Sequence, residues 1–520
     1  MSSMHDKIAY FEQRREQLKL GGGLQAIEKQ HAQGKLTARE RIDKLFDPGS
    51  FVELNIFTKS QATALGMDKK ETPADGMIIG YGKINGRLCC VFASDFTVIA
   101  GTLGEAHSKK VAKIADWAAQ MRVPLLALFD STGARIQEAE PLLRPWTEVF
   151  YKVASCSGVI PQIAAIMGPC AAGTGYGPSM MDFIFMVKDT SYMWLGGPRL
   201  TRAATSELRS DEELGGAEAV CQISGGADLA TENDEDCLEK IKRLLSYLPQ
   251  NCDEMPPISL ATDDPDRLDE GLADILPSDS DEPYNMYDII CRVVDNGDFF
   301  EIKPEFARNI IVGFCRFNGR PVGLIANQPE VLTGFIDVDA ADKAARFIQF
   351  CDCFNIPIVV LLDCPAFVVG KEHEYRGILR HGAKLVYATC VATVPKICIG
   401  IRKCYGASMF ALAARTTGAD FFFTWPTAEV SLMSPKSASA IVFHNEIMRS
   451  PDPIAKRREL EQLYRNTYVN LENMAGNIRY DLVDDIIDPR CTRKVIIKAL
   501  EFTASKKITL PPKKHGNPPM

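Results

Sequence analysis

The sequence predicts an α/β protein made of two similar halves. Three observations lead to this prediction. Short buried strands alternate with helices and glycine-containing turns, one order of features occurs twice, and 520 residues suffice for several domains of roughly 100–200 residues each. The composition, with 46% hydrophobic and 24% charged residues, is that of a globular protein.

The charge balance argues against two classes of function. The 59 Lys and Arg residues against 67 Asp and Glu residues give a formal net charge of −8, which is atypical of a nucleic-acid binder or a membrane-surface protein. The apolar runs, such as Val123–Phe129 and Ile356–Leu362, are far shorter than the ~20 residues that cross a bilayer. The charged residues 1–19 do not resemble a signal peptide. We therefore expect a cytoplasmic protein without direct membrane insertion.

The cysteines and histidines predict neither disulfides nor a metal site. The 16 cysteines lack the density of a disulfide scaffold, and many lie in apolar segments. Cys351 and Cys353 have no second pair at zinc-ribbon spacing, so we interpret them as core residues. The seven histidines form no HExxH motif. We expect reduced thiols and no bound metal.

The first half is predicted to begin with helices and to continue with hairpins. Residues Met1–Leu18 and Leu24–Gly34 have helical patterns. Thr37, followed by Glu40 three residues later, forms a capping box that opens a third helix. From residue 51 to about residue 100, apolar runs alternate with turn signals such as Asn85-Gly86, which predicts β-hairpins.

Helices and buried strands then alternate. Residues 105–121 are predicted as a helix, and Val123–Phe129 and Ile160–Met167 as buried strands. The second strand runs into a turn of small residues, after which we predict a helix over Pro178–Val187.

An acidic, proline-containing stretch separates the halves. Its weak periodicity predicts a linker at residues 259–288 between domains at residues 1–258 and 289–520. The order of features then returns, with hairpins at 290–326, a helix at 338–354, a strand at Ile356–Leu362 and a helix at Met409–Ala414.

The two halves can be aligned residue by residue. Pro161 and Pro395 lie 234 residues apart, as do Cys170 and Cys404, and both pairs stand in strand-then-small-turn contexts. The strands before Asp130 and Asp363 match at an offset of 233. We infer that the chain is a fused duplication.

The paired turns suggest a chemistry that uses the backbone. Small residues between a buried strand and a helix let a ligand approach, and the N–H groups at a helix start have no partner within that helix. Two such groups can form an oxyanion hole for the enolate of a thioester, where one lost donor typically costs ~3–4 kcal/mol. The alternative is that the small residues only allow the helix to pack on the strand. No GxSxG elbow and no Walker-type loop is found in the sequence.

Seven blocks, distributed over nearly the whole chain, match one family: Glu28–Ile42, Gly133–Glu138, Ser157–Cys170, Met186–Ser191, Arg380–Lys384, Trp425–Glu429 and Lys514–Asn517. In these blocks the sequence resembles the carboxyltransferase subunit of biotin-dependent acyl-CoA carboxylases and decarboxylases. The resemblance is greatest to the propionyl-CoA carboxylase beta and methylmalonyl-CoA decarboxylase alpha types.

The resemblance implies a fold of two crotonase-like (ββα-spiral) domains related by duplication. It implies that the N-terminal domain binds the acyl-CoA and that the C-terminal domain binds biotin attached to a separate biotin carboxyl carrier protein. The site is expected between the halves of different chains in a homo-oligomer, commonly a hexamer. The other partner would be a biotin carboxylase subunit or a membrane decarboxylase subunit.

The resemblance also implies roles for individual residues. The N–H groups of Ala172 and Gly173 would stabilise the acyl-thioester enolate, and those of Ala407 and Ser408 the ureido oxygen of biotin. Five further residues would contact substrate: Gly133, Ala134, Arg135, Gly406 and Phe410. Phe410 stands where propionyl-CoA carboxylases have Asp, a position associated with the choice of acyl chain.

Two other functions stay open at this level. One is a scaffold subunit with little or no catalysis. The other is a biotin-independent, crotonase-type acyl-CoA enzyme, for which Glu138 or Glu140 would be the acidic residue over the substrate. The sequence does not distinguish carboxylation, decarboxylation and transcarboxylation, because the half-reaction is common to all three.

Overall fold

The computed structural model describes residues 3–412, 414–477, 479 and 481–519. The chain divides into two compact units, Met1–Glu254 and Met255–Met520. Two predicted helices extend past these ranges: Met1 and Ser2 of Met1–Leu18, and Ala413 of Met409–Ala414, lie outside the described residues.

The first unit is built on an eight-stranded sheet. Its strands are β1 (Val52–Leu54), β2 (Met77–Ile84), β3 (Arg87–Ser94), β4 (Leu125–Ser131), β5 (Gln162–Ala171), β6 (Phe183–Val187), β7 (Tyr192–Trp194) and β8 (Leu229–Thr231). The order is β1-β2-β3-β4-β5-β6-β8, with β7 beside β5. The pairs β1–β2 and β2–β3 are antiparallel, and the others are parallel.

Nine helices accompany these strands within the described part of this unit: α1 (Met4–Lys19), α2 (Leu24–Ala32), α3 (Ala38–Leu45), α4 (Glu105–Met121), α5 (Glu140–Cys156), α6 (Tyr176–Ser179), α7 (Pro198–Thr205), α8 (Asp211–Gly215) and α9 (Asp234–Leu245). The core includes the apolar side chains of β2 to β6 together with those of α4 and α5.

The second unit repeats this topology. Its strands are β9 (Phe299–Ile302), β10 (Ile310–Phe317), β11 (Arg320–Asn327), β12 (Ile358–Cys364), β13 (Lys396–Tyr405), β14 (Phe421–Thr424), β15 (Glu429–Ser431) and β16 (Asp485–Ile486). The order is β9-β10-β11-β12-β13-β14-β16, with β15 beside β13. Here too only the first two pairs are antiparallel. The predicted α/β fold with an internal duplication is confirmed.

The helices described in the second unit are α10 (Met286–Val293), α11 (Val338–Cys353), α12 (Lys371–Tyr375), α13 (Ile378–Val391), α14 (Gly406–Leu412), α15 (Pro435–Val442), α16 (His444–Arg449), α17 (Pro453–Tyr468), α18 (Leu471–Gly476) and α19 (Thr492–Phe502). Residues 259–288, predicted as a linker, lie within this unit. The region 290–326, predicted as hairpins, begins inside α10 and continues with β9, β10 and β11.

Local sequence explains several of these elements. The capping box of Thr37 and Glu40 opens α3, as predicted. The predicted hairpin turn at Asn85-Gly86 joins β2 to β3 with φ of +48° and +77°, and Asn318-Gly319 joins β10 to β11 in the same way. Two positive φ values are typical of the type I′ turn, which matches the twist of the strands it joins.

Two predictions are wrong. The helix predicted over Pro178–Val187 ends at Ser179, and Phe183–Val187 forms β6, in which every residue is buried. A short continuous apolar run fits a central parallel strand as well as a helix, so periodicity alone does not separate the two. Cys351 is buried as predicted, whereas Cys353 is exposed.

One buried lysine per unit secures the loops that precede the hairpin. Lys110 Nζ in α4 donates to the carbonyl oxygens of Ala74 (2.9 Å) and Met77. Lys343 Nζ in α11, 233 residues later, donates to those of Ala307 (3.4 Å) and Ile310 (2.8 Å). The bonded residues are separated by the same 233 positions, so this anchor was duplicated with the fold.

Two further findings concern the described residues. None of their helices is both long and apolar enough to cross a membrane. None of the sixteen cysteines, all of which the structure describes, forms a disulfide.

Candidate active site

The two predicted turns lie at the carboxyl ends of equivalent central strands. The chain leaves β5 through a 3-10 turn at Ala172–Gly175 and then enters α6. It leaves β13 directly into α14, whose first residue is Gly406. In open parallel sheets, ligands bind at the carboxyl ends of the strands, so both turns are placed where a substrate can reach the backbone.

Each turn opens with a residue in the left-handed region. Ala172 has a φ of +55°, and Gly406, 234 residues later, has a φ of +49°. A left-handed residue at the start of a helical turn directs successive N–H groups to one side and makes a concavity that accepts negative charge. The first N–H groups of a helical segment also lack partners within it.

The predicted donor pairs stand one position apart in the two turns. Ala172 and Gly173 open the first turn, whereas Ala407 and Ser408 are the second and third residues of α14. The duplication pairs Gly173 with Ala407, so the equivalent of Ser408 is Thr174. Three N–H groups per turn, those of residues 172–174 and 406–408, include both predicted pairs.

Hydroxyl groups stabilise both turns in the same way. Thr174 Oγ1 donates to the carbonyl oxygen of Ala171 (2.5 Å), and Ser408 Oγ donates to that of Tyr405 (2.7 Å). Both bonds span three residues at equivalent positions. The sequence did not single out Thr174, although its alignment with Ser408 could have done so.

Glycine is required at one position in each turn. A Cβ on Gly173 would lie 2.2 Å from the indole of Trp146, and a Cβ on Gly406 would lie 2.5 Å from the carbonyl oxygen of Leu432. Trp146 of α5 therefore packs directly over the first turn. Sequence reasoning missed this residue, and the spacing of Trp146 and Phe150, four residues apart on one helix face, was the available signal.

A buried carboxylate lies at the end of the strand beside each turn. Asp130 in β4 accepts hydrogen bonds from Gln30 (2.9 Å), Lys35 (2.7 Å) and Arg41 (2.9 Å). Gly168 makes room for this cluster, because a Cβ there would lie 1.9 Å from Asp130 Oδ1.

The equivalent carboxylate in the second unit has a different partner. Asp363 in β12 accepts from Arg402 Nε (3.1 Å) and from the N–H of Lys403 (2.9 Å). Arg402 occupies the position that corresponds to Gly168. Burial raises the pKa of Asp363, while Arg402 opposes this shift.

Hydrogen bonds and ion pairs fix the loop that contains Gly133, Ala134 and Arg135. Gly133 has a φ of +105°, and its N–H donates to Ser131 Oγ (3.2 Å). The guanidinium of Arg135 is fully buried and donates to Asp75 (2.6 Å) and Glu138 (2.7 Å). Arg135 is therefore placed to support the loop rather than to contact a ligand.

The two candidate acidic residues differ in environment. Burial acts to raise the pKa of Glu138, but hydrogen bonds from Ser60, from the N–H of Glu105 and from Arg135 outweigh it and lower the pKa. Glu138 is thus an engaged carboxylate, whereas Glu140 is exposed at the start of α5.

Phe410 lies in α14 and is 37% exposed. Its equivalent after the first turn is Tyr176, which is also exposed and makes an edge-on contact with Phe150. An aromatic side chain therefore follows each turn at the same position.

A large cavity lies beside the second turn. It has a volume of about 930 Å³, and its wall includes Leu432, whose carbonyl oxygen is next to Gly406. Most of its other wall residues carry neutral hydroxyl or amide groups, among them Ser431, Tyr464, Thr467, Tyr468, Asn470, Asn473 and Asn477. Sequence reasoning did not find this cavity, because α17 and α18 contain no recognisable motif.

Residues 29–518 match the carboxyl transferase domain family. The chain belongs to this family. As a carboxyl transferase, it is 46% identical over 520 residues to methylmalonyl-CoA decarboxylase subunit alpha of Veillonella parvula, with 100% of both chains covered. It is 45% identical over 518 residues to the propionyl-CoA carboxylase beta chain of Roseobacter denitrificans, covering 99% of this chain and 100% of the relative.

A solved structure supports the same assignment. The transcarboxylase 12S hexamer, with methylmalonyl-coenzyme A bound, superposes with a TM-score of 0.96 at 43% identity, over 100% of this chain and 99% of that chain. The predicted family, the predicted carboxyltransferase class and the fold of two crotonase-like domains are thereby confirmed.

Proposed function

We propose that this carboxyl transferase moves a carboxyl group between biotin, held by a separate carrier protein, and the α-carbon of an acyl-CoA, by means of its two backbone turns. The observation that carries the proposal is the pair of turns itself. Each unit presents a left-handed residue followed by helical N–H groups at the carboxyl edge of its sheet. The proposed reaction places one oxyanion on the acyl-CoA and one on biotin, so it needs two such sites.

At the acyl side, the N–H groups of Ala172 and Gly173 bind the thioester oxygen. Loss of the α-carboxyl group or of an α-proton leaves an enolate, whose negative charge lies on that oxygen. Donors already directed at the oxygen stabilise the charge without reorganisation, and one donor is typically worth about 100- to 1000-fold in kcat. Thr174 maintains the turn through its bond to Ala171.

At the biotin side, the N–H groups of Ala407 and Ser408 bind the ureido oxygen. When bound, biotin supplies the nitrogen that carries the carboxyl group. The cavity beside Gly406 fits this neutral, polar ring, because its wall offers amide and hydroxyl groups that both donate and accept hydrogen bonds. Because Gly406 has no side chain, the carbonyl oxygen of Leu432 can lie close to the backbone of the turn.

The alternative functions are disfavoured. A biotin-independent enzyme would need a carboxylate over the substrate, and one of the two candidates, Glu138, is unavailable because it is committed to Ser60, Glu105 and Arg135. A non-catalytic scaffold has no need for two intact N–H turns, and full-length relatives are named as carboxylase and decarboxylase subunits.

The proposal extends to substrate contacts and partners. Phe410 and the loop at Gly133 and Ala134 contact the acyl-CoA, with Arg135 supporting that loop, and Phe410 selects the acyl chain. The protein assembles as a hexamer, for which the 12S relative is the precedent. It works with a biotin carboxyl carrier protein and with a biotin carboxylase or membrane decarboxylase subunit. The cytoplasm is the proposed location, consistent with sixteen cysteines outside disulfides.

The test uses the purified full-length protein with free biotin and a panel of malonyl-, methylmalonyl- and ethylmalonyl-CoA. We expect CO2 release that requires biotin. Phe410→Asp should change the order of preference within the panel, whereas Tyr176→Asp, at the equivalent position of the first turn, serves as the matched comparison. Release at the same rate without biotin, or no release from any member by a correctly assembled protein that binds CoA esters, would overturn the proposal.

A further inference from the structure

A small cavity adjoins the first turn. It lies in the first unit between the sheet and helices α4 and α5, and its volume is about 40 Å³. Thr174, the third residue of the turn, and Gly177 form part of its wall. The cavity therefore begins at the turn to which the acyl thioester is assigned.

Most of the wall is apolar, and its polar residues are Ser94, His107, Ser108 and Thr174. Phe129 from the sheet and Trp146 and Phe150 from α5 contribute aromatic rings. At the equivalent positions of α13, Trp146 and Phe150 are replaced by Arg380 and Lys384. The aromatic wall is thus specific to the first unit and is not a requirement of the duplicated fold.

One polar group in this wall lacks a partner. Ser108 of α4 is 1% exposed and lines the cavity, and its hydroxyl makes no hydrogen bond to any described residue. A buried hydroxyl without a partner is unfavourable. The equivalent residue in α11 is the buried Ala341, so the fold itself does not need a hydroxyl at this position.

We propose that this cavity is an acyl-chain subsite in which Ser108 binds a neutral hydroxyl or carbonyl group on a short acyl chain. The apolar wall accommodates the carbon atoms, and Ser108 offers both a donor and an acceptor. One water-sized atom needs about 10–15 Å³ of this volume, so the cavity holds roughly three such atoms. This number matches the end of a four-carbon chain. This inference rests on the proposed function, because it assumes that the thioester lies at the first turn.

The test measures binding rather than turnover. Isothermal titration of the full-length protein compares 3-hydroxybutyryl-CoA with butyryl-CoA, which differ by one hydroxyl. We expect the hydroxylated ester to bind about tenfold more tightly, as for one buried hydrogen bond. Ser108→Ala should reduce this ratio to about one without weakening the binding of butyryl-CoA, because a lost hydrogen bond affects only the hydroxylated ester.

Two controls separate the subsite from other effects. Ser108→Ala copies the residue found at position 341, so it is expected to fold, and its thermal unfolding is checked. Ala341→Ser places a hydroxyl at the equivalent position of the second unit and should leave the tenfold ratio unchanged. A ratio of one in the wild type, as expected if water alone occupies the cavity, would overturn the proposal. A tenfold preference for the hydroxylated ester that persists in Ser108→Ala would also overturn the proposal.

The failure of the subsite and the failure of the proposed function give different results. Biotin-dependent CO2 release from methylmalonyl-CoA is measured on the same preparations. Release together with an absent preference for the hydroxylated ester would reject only the subsite. Absence of both release and CoA-ester binding would reject the proposed function and the subsite with it.

Discussion

The two units have the same sheet topology but neutralise the carboxylate at the end of the fourth strand differently. Asp130 forms ion pairs with Lys35 and Arg41, which lie in the helical N-terminal segment. Asp363 forms an ion pair with Arg402, which lies in the neighbouring strand β13. The comparison shows that this fold needs a counter-charge at the position but does not determine which element provides it.

The turns show the same division between what was kept and what changed. Both keep the left-handed first residue and the hydroxyl at the third position. The adjoining helices differ, since α5 presents Trp146 and Phe150 where α13 has Arg380 and Lys384. The backbone features serve a chemistry common to both units, whereas the side chains suit different ligands.

The largest expected effect tests the counter-charges. Arg402→Met leaves Asp363, which is 1% exposed, without the guanidinium that faces it. Breaking a buried pair in this way typically costs about 3–5 kcal/mol of unfolding free energy. Lys35→Met should cost less, because Arg41 still faces Asp130 at 2.9 Å. Calorimetric unfolding of both variants checks this order, and an equal or greater loss in Lys35→Met would contradict it.

The next test concerns the Cβ positions of the turns. Gly173→Ala places a methyl group 2.2 Å from the indole of Trp146 and must displace either the indole or the turn. We expect kcat for biotin-dependent CO2 release to fall about 100- to 1000-fold, as for a lost oxyanion donor. Ala407→Gly is the matched control, because the fold already accepts a Cβ there. Full activity in Gly173→Ala would show that the first turn is not used as proposed.

A smaller effect is expected from exchanging the left-handed residues. Gly406→Ala introduces a Cβ at a φ of +49° and 2.5 Å from the carbonyl oxygen of Leu432. Left-handed strain of this kind amounts to about 1–2 kcal/mol, and relief of the backbone contact adds to it. Ala172→Gly removes similar strain but makes the unfolded chain more flexible, so its net effect should be near zero. The thermal unfolding midpoints of Gly406→Ala and Ala172→Gly check this difference. Similar decreases in the two midpoints would argue against equivalent turns.

The smallest effect is a pH dependence that comes from His107 in the first unit. Burial, with Arg135 and Lys110 nearby, lowers the pKa of His107 to about 3. The unfolded chain takes up this proton near pH 6.5 and the folded chain only near pH 3. The contribution to stability is therefore complete above pH 6.5 and is lost as the pH falls, by about 1 kcal/mol at pH 5.5.

The second unit has Ala340 at the equivalent position. Unfolding free energies at pH 7.5 and pH 5.5 should therefore show a smaller difference in His107→Gln than in the wild type. An identical pH dependence in the two proteins would mean that His107 takes up its proton equally in the folded and unfolded chains.

Much of the fold was predictable from local sequence. The Asn-Gly hairpin, the capping box at Thr37 and the helix at residues 105–121 depend on neighbouring residues, and all three are present. The helix predicted over Pro178–Val187 failed because a buried strand between two others carries no alternating pattern. Its assignment requires knowledge of the strands on both sides.

The candidate site was predictable in position but not in detail. The duplication indicated both turns, and the resemblance supplied Ala172, Gly173, Ala407 and Ser408 as donors. It did not indicate that Arg135 is buried beneath its loop, or that Glu138 is already engaged. Each of these depends on contacts between residues from different loops and strands.

The sequence by itself determined the duplication, the family and the positions of the two turns, because these depend on the order of residues along the chain. The tertiary structure alone decided that Gly173 lies under Trp146, that Lys35 and Arg41 both bind Asp130, and that Ser108 lines a mostly apolar cavity. The physical reason is that packing and burial join residues far apart in sequence. Their energies depend on which atoms exclude water from one another.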